Sequence, residues 1–184
     1  MQLSGPKSFG VMMPAFVPDL PVILAFALAA FVLAITPGPD MALQLSRAIN
    51  HGFRHGLATA AGAMSGIFVH TTLVALGISV LIVTAPAAFL VLKIAGAVYL
   101  LWLAWQALTQ RGGLRIAAPG KREPTLRDSY LTGIGINLLN PKVVLFFMTF
   151  LPQFVARDDP AAPAKLFFLG GEFILISIPL AVLG

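Results

Sequence analysis

The stretch LPVILAFALAAFVLAITPGPDMALQL, Leu20–Leu45, decides what kind of chain this is. From Leu20 to Ile35 it carries no charge; Thr36-Pro37-Gly38-Pro39-Asp40 then interrupts it before apolar residues resume. A charge-free apolar run of about 20 residues is what a helix needs to cross a bilayer. Pro37 and Pro39 each remove a backbone donor and press a ring on the preceding turn, and Gly38 permits unusual dihedrals. The helix is therefore expected to unwind at membrane depth. Backbone freed there is tolerable only where it faces protein or a water-filled cavity. The half-helix restarting near Asp40 points its first amides at the break, a setting for an anionic group such as a carboxylate. Asp40 is expected to bind an amine or take a proton. The structural alternative is a kink with Asp40 as N-cap, but an acid inside a membrane is expensive enough to favour function.

The whole chain shares this character. Its 184 residues are 58% apolar and 10% charged, with mean hydropathy +0.91, whereas a soluble domain is about 45–50% apolar and about 25% charged. The fold class is therefore all-α integral membrane, because lipid offers the backbone no hydrogen-bond partners and forces helices. Cysteine is absent, which excludes a disulfide framework, a thiol nucleophile and a thiolate metal site. The formal charge of +5 does not point to nucleic acid, because the basic residues sit in short loops between apolar runs rather than on one face.

Five spans are expected: Leu20 to Leu45; Leu57 to about Val83; about Ala87 to Leu108; about Tyr130 to Val155, broken at Asn140-Pro141-Lys142; and about Leu166 to Gly184. Residues 1–19 form a mixed N-terminal tail. They are not a signal peptide, since the apolar run from Leu20 is too long for an h-region and lacks a clear cleavage site. Arg47, Arg54 and their neighbouring histidines fill the first loop, Thr84 to Pro86 is neutral, and Arg111 to Arg127 is strongly basic. Basic loops stay cytoplasmic, so the N-terminus is expected outside and Gly184 inside. The Gly- and Pro-containing stretch 111–127 reads as a cytoplasmic linker. It divides a first three-helix half, 20–110, from a second half, 128–184, which is expected to lack its last helix. Each half opens with a proline-broken span, and three spans separate the two openings. That is the layout of an inverted repeat, common in secondary transporters; a sixth span and a truncated chain are expected.

Asn137 and Asn140-Pro141-Lys142 form the second break. The amides freed after Pro141 are expected to offer another anion site, with Lys142 pairing Asp40 or a substrate carboxylate, or else snorkelling to the interface. His70, in mid-span, is either a proton relay or a satisfied buried histidine. Glu172, behind Gly170-Gly171, is either a functional acid or interfacial. Gly62-Ala63-Met64-Ser65-Gly66 is a small-xxx-small pattern for close helix packing, and Gly96 reads likewise; such packing also allows a homodimer. Tyr99, Trp102 and Trp105 suit an interfacial belt. No metal site, cofactor motif or hydrolase triad is present.

Ile35-Thr36-Pro37-Gly38-Pro39-Asp40, Arg54-His55-Gly56-Leu57, Leu92-Lys93-Ile94-Ala95-Gly96-Ala97-Val98-Tyr99-Leu100, Asn137-Leu138-Leu139-Asn140-Pro141-Lys142 and Phe150-Leu151-Pro152-Gln153-Phe154-Val155, in this order, together resemble the LysE/RhtB family of amino-acid exporters. The resemblance covers roughly Leu20 to the end. It implies a multi-pass exporter in the bacterial cytoplasmic (inner) membrane, driven by the proton gradient, with six spans in threonine/homoserine-type members and substrates such as lysine, threonine, homoserine or leucine. Ala104 departs from the glycine frequent in the family.

Residues and resemblance combine into one expectation, a secondary transporter rather than an enzyme. Thr36, Pro37, Gly38, Pro39, Asp40, Asn137, Asn140, Pro141 and Lys142 would form the substrate site, and Asp40, His70 and Glu172 would couple protons. A transporter or channel for another small solute is the alternative, and a catalytic cluster within the spans, which an embedded enzyme would need, is missing. The partners implied are an amino acid, protons and the lipid bilayer.

Overall fold

The computed structural model describes residues 14–84, 87, 90, 91, 94, 98, 101, 105, 123–156 and 159–183. Among them all regular structure is helical. α1 (Leu20–Ile35) and α2 (Pro39–His51) are the two halves of the first broken span, bent by 55°. α3 (Phe53–Thr84) follows after Gly52 alone, whose φ of +92° suits a glycine at a helix C-terminus. α4 (Leu126–Leu138) and α5 (Pro141–Leu145) form the second broken span; α5 continues as a π turn over Phe146–Phe150 and a 3-10 turn over Leu151–Phe154, and the bend is 53°. α6 (Ala162–Leu183) closes the described chain. Two helices, Phe53–Gly77 within α3 and Ala162–Val182 within α6, are long and apolar enough to cross a membrane, and each bent pair counted as one span brings the number to four.

Most of the expected third span lies outside the described residues, as do Gly96, Tyr99, Trp102, Ala104, Gly184 and residues 111–122 of the linker. At Ala87, Leu90, Val91, Ile94, Val98, Leu101 and Trp105 the backbone is helical and the residues are exposed.

Three spans begin earlier than hydropathy alone suggests. α3 starts at Phe53 rather than Leu57, and α6 at Ala162 rather than near Leu166. α4 starts at Leu126 rather than Tyr130 because Thr125 and Asp128 form a capping box: Thr125 Oγ1 accepts from the Asp128 N–H at 3.1 Å, and Asp128 Oδ2 from the Thr125 N–H at 2.9 Å. Such reciprocal bonds satisfy two amides that a helix start otherwise leaves unpaired.

Hydrophobic burial drives little of the packing between helices in lipid; close approach and polar contacts matter more. α3 and α4 show both. A Cβ on Gly62 would overlap the Tyr130 carbonyl oxygen, and one on Gly133 would overlap the Thr59 carbonyl oxygen, so a glycine on each helix meets the other's backbone. The small-xxx-small pattern therefore faces α4, with Gly66 beneath the Asn137 side chain. Ser129 Oγ pairs with His55 Nδ1 at 3.0 Å and Tyr130 Oη with Ser65 Oγ at 2.9 Å. These contacts bring the start of α4 to the start of α3, where α2 has just ended. Gln44 Nε2 donates to the Ala181 carbonyl at 2.7 Å and brings the end of α6 to the same side.

The opposite side is aromatic. Phe26 of α1 packs on Phe146 and Phe154 with ring centroids 5.8 and 5.3 Å apart, and Phe173 of α6 meets Phe146 and Phe147 at 5.6 and 5.3 Å. α1 thus runs from the aromatic side to its break, and α4 runs from the other side to its own. The two broken spans are antiparallel, with their breaks at one level.

Candidate functional site

α1 stops where it does because residue 37 is proline. The Leu33 carbonyl would accept from the amide four residues on, and Pro37 has none. Thr36 is extended (φ −69°, ψ 120°), as a residue preceding proline prefers, and its hydroxyl donates back to the Val32 carbonyl at 2.6 Å. α2 restarts at Pro39 with Gly38 as N-cap, and Asp40 sits in the first turn without a capping hydrogen bond. Asp40 is therefore not the N-cap. Gly38 is also not there for its dihedrals: its φ of −149° and ψ of 175° are ordinary extended values. What it supplies is space. A Cβ at this position would stand 2.9 Å from Asp40 Oδ1 and 3.0 Å from Lys142 Nζ.

The second break is closed differently. Asn140 caps α5: its Oδ1 accepts from the Lys142 N–H at 3.1 Å, and its carbonyl accepts from Val143 and Val144 at 3.0 and 2.9 Å. The amides after Pro141 are taken by Asn140, so the second anion site expected there is not open.

Lys142 joins the breaks. It is 5% exposed and points inward instead of snorkelling. Its Nζ donates to the Leu33 carbonyl at 3.1 Å and to the Thr36 carbonyl at 2.8 Å, and stands 3.9 Å from Asp40 Oδ1. The ammonium thus supplies the donor that Pro37 withholds from Leu33. It also places positive charge at the C-terminal end of α1, where the helix dipole favours it. Asp40 Oδ1 accepts no hydrogen bond among the described residues. One acid and one base therefore face each other at a separation near the limit of an ion pair.

A cavity of about 90 Å³ opens beside this junction, space for several waters or a small solute. Its polar lining is Asp40, Gln44, Thr59, Asn137, Lys142 and Ser177; Met41, Ala63, Met64, Ile67, Val143 and Phe173 supply much of the apolar remainder. The cavity lies on the side where α2 ends and α3 and α4 begin, and Phe173 stands between it and the aromatic cluster. Of the expected site residues, Asp40, Asn137 and Lys142 line it. Thr36 contributes a carbonyl to Lys142, while Pro37, Gly38, Pro39, Asn140 and Pro141 shape the breaks without lining the cavity.

The two other expected proton-coupling residues stand apart. His70 is buried behind the cavity, with Nε2 3.4 Å from the Asn137 carbonyl and its ring stacked on Phe147 at 5.9 Å. Glu172 lines a separate apolar groove with Ile23, Phe167 and Phe168, and its Oε2 has no partner among the described residues. Gln44, Thr59 and Ser177 escaped the sequence reading. Gln44 was the most legible, since it follows Asp40 by four residues and so shares its face of α2.

The LysE type translocator family model matches residues 31–182. The homoserine/homoserine lactone efflux protein of Salmonella typhimurium is 31% identical over 84% of this chain and 74% of its own length. The leucine efflux protein of Klebsiella pneumoniae is 35% identical over 84% of this chain and 73% of its own. The cysteine/O-acetylserine efflux protein of Escherichia coli is 34% identical over 87% of this chain and 75% of its own. No solved structure matches the chain.

Proposed function

The chain belongs to the LysE type translocator family, and from that premise we propose that it exports neutral amino acids across the bacterial cytoplasmic membrane by proton antiport, with its N-terminus outside. The observation that carries the reading is the facing of Asp40 and Lys142, 3.9 Å apart, on a cavity between two broken helices. A free amino acid is a zwitterion. Its ammonium matches the Asp40 carboxylate, and its carboxylate matches the Lys142 ammonium together with the first-turn amides of α2, which no intrahelical carbonyl can reach. Asp40 and Lys142 are the only charged residues in the cavity's described lining. Both are used by the groups every amino acid shares, so the side chain carried is neutral.

Antiport follows if Asp40 holds either the substrate ammonium or a proton. Cargo released outside leaves Asp40 to take a proton there, and that proton leaves when the site faces the cytoplasm again. His70, in contact with the Asn137 carbonyl, is the relay in this scheme. Glu172, in its separate groove, is a second acid that can carry a proton within the span.

The deciding experiment is efflux from cells loaded with dipeptides, with and without a protonophore, for the wild type and Asp40→Asn. Gradient-dependent efflux that the substitution abolishes supports the scheme. Normal efflux from Asp40→Asn with unchanged pH dependence removes Asp40 from coupling, and efflux indifferent to the protonophore removes antiport.

A further inference from the structure

The cavity ends on a ring. Phe173 lines it, is 4% exposed, and packs on Phe146 and Phe147. The rings continue behind it: Phe146 meets Phe150 at 5.1 Å between centroids, Phe150 meets Phe154 at 5.0 Å, and Phe26 of α1 closes the row on Phe146 and Phe154. Four of these rings ride on one segment, 146–154, which leaves the α-helical pattern twice, as a π turn and then as a 3-10 turn. Short departures of both kinds mark hinges and functional positions. At the end of the π turn the Leu151 N–H reaches back to the Phe146 carbonyl, and Pro152 brings no amide at all. Two side chains make good the ladder. Thr149 Oγ1 donates to the Leu145 carbonyl at 2.6 Å, and Gln153 Nε2 to the Thr149 carbonyl at 2.8 Å. Such side-chain donors, with π and 3-10 adjustments, keep backbone carbonyls bonded within a membrane where the helix is irregular. α3 and α4 have no such freedom, because their glycines touch backbone and Ser65 is tied to Tyr130.

We propose that segment 146–154 is the outer gate of the carrier: its π and 3-10 turns are the hinge, and its rings swing off Phe26 and Phe173 to let cargo out. This rests on the export reading above. Cargo that leaves the cavity on the side away from the end of α2 has to part these rings. A seal of phenylalanine rings is dry when shut, so protons do not run past the cargo. Opening it separates ring from ring. No buried hydrogen-bonding side chain loses its partner in that step, which would be the larger cost. The hydroxyl of Thr149 and the amide of Gln153 hold their carbonyls from within the segment, so they travel with it.

Lacking cysteine, the chain accepts a designed pair. The full-length protein carrying Phe26→Cys and Phe154→Cys, whose native rings lie 5.3 Å apart, is placed in proteoliposomes. These are loaded with a mixture of neutral amino acids, homoserine and leucine among them, and a proton gradient is imposed. Bridging the two thiols with a short bis-methanethiosulfonate reagent is expected to slow efflux at least about tenfold, since gate opening then limits every cycle. A reductant that cuts the bridge should restore it. Binding of the same amino acids to the bridged protein in detergent should persist, because the cavity lies on the other side of Phe173. The same bridge between Ser65→Cys and Tyr130→Cys, across the fixed contact of α3 and α4, should leave efflux as it was. Unchanged efflux with Phe26→Cys and Phe154→Cys bridged overturns the proposal. So does loss of binding along with efflux, which makes the cluster plain packing, and so does an equal loss from the bridge between α3 and α4. Where the Phe26→Cys/Phe154→Cys protein does not insert or transport before bridging, Thr149→Val decides. Removing the hinge hydroxyl should lower the efflux rate several-fold at unchanged cargo affinity, and an unchanged rate overturns the hinge. Wild-type protein that releases none of the amino acids refutes the export reading and takes the gate with it.

Discussion

Lys142 shows how much one side chain can carry. It repairs the α1 carbonyls that proline leaves open, neutralises the end of that helix, and faces Asp40. The space for it exists because residue 38 has no side chain. Gly38→Ala is therefore expected to give a folded, membrane-inserted protein, because the added methyl meets the flexible end of Lys142. Its efflux should fall by about tenfold as the ammonium and carboxylate are pushed out of register, a loss of about 1.4 kcal/mol in transition-state stabilisation. Unchanged efflux would mean that the junction tolerates displacement. The sequence marks Pro37 and Pro39 as a break from local chemistry alone. It does not reveal why residue 38 is glycine, because the space is taken jointly by the Asp40 carboxylate and by the ammonium of a residue more than a hundred positions away. The same holds for the amides after Pro141: the cap that consumes them is the Asn140 side chain, and only its rotamer shows that the anion site is closed.

At the scale of elements, α3 and α4 approach so closely that their glycines meet backbone. The pattern Gly62 to Gly66 is legible because its spacing is regular. Its counterpart Gly133 is not, since only the register between the helices separates it from Gly135, where an added Cβ would meet nothing within 4 Å. Gly133→Ala should lower the Tm of the detergent-solubilised protein, with overpacking costing about 1–3 kcal/mol. Gly135→Ala should leave it unchanged or raise it, alanine being the better helix former. Equal effects would contradict the register. The start of α6 gives a second case. Asp159 Oδ2 accepts from Lys165 Nζ at 2.6 Å, and Oδ1 from the Ala161 N–H at 2.8 Å. These bonds, the lysine's foremost, hold its carboxyl below its ordinary value of 3.8. A depressed carboxyl lends stability that is complete above the ordinary value and disappears as pH falls through the lowered one. Hydrogen-exchange protection of the Ala161 amide should accordingly be flat from neutrality down to about pH 5 and drop below pH 3.8. In Asp159→Asn that acid-dependent step should vanish.

The molecule as a whole is asymmetric across the plane of its breaks. One side is filled by phenylalanines from α1, the π turn and α6; the other holds the cavity, with Gln44 and Thr59 on its wall. In the proposed orientation the cavity side is cytoplasmic. The sequence contains no cysteine, so single cysteines report cleanly. Gln44→Cys, on the partly exposed wall of the cavity, should react with a membrane-impermeant thiol reagent in inside-out vesicles and not in whole cells, while Phe146→Cys, fully buried, should be protected in both. Labelling of Gln44→Cys from outside would reverse the orientation. The all-helical membrane class, the two breaks and their opposed directions were readable from hydropathy, proline and loop charge. The asymmetry was not, because phenylalanine occurs on both sides of the breaks and only packing separates a plug from a wall.

The three contacts of the Lys142 ammonium have a mechanical consequence. They fasten the last turn of α1 to the first turn of α5, so the two hinges share one pin and neither half swings without dragging the other. In the proposed scheme, a carrier built this way would resist opening to both compartments at once, and cargo whose carboxylate draws the ammonium away would loosen the pin. Slippage without cargo would then be set by the grip of two carbonyl oxygens, Leu33 and Thr36, on a single lysine.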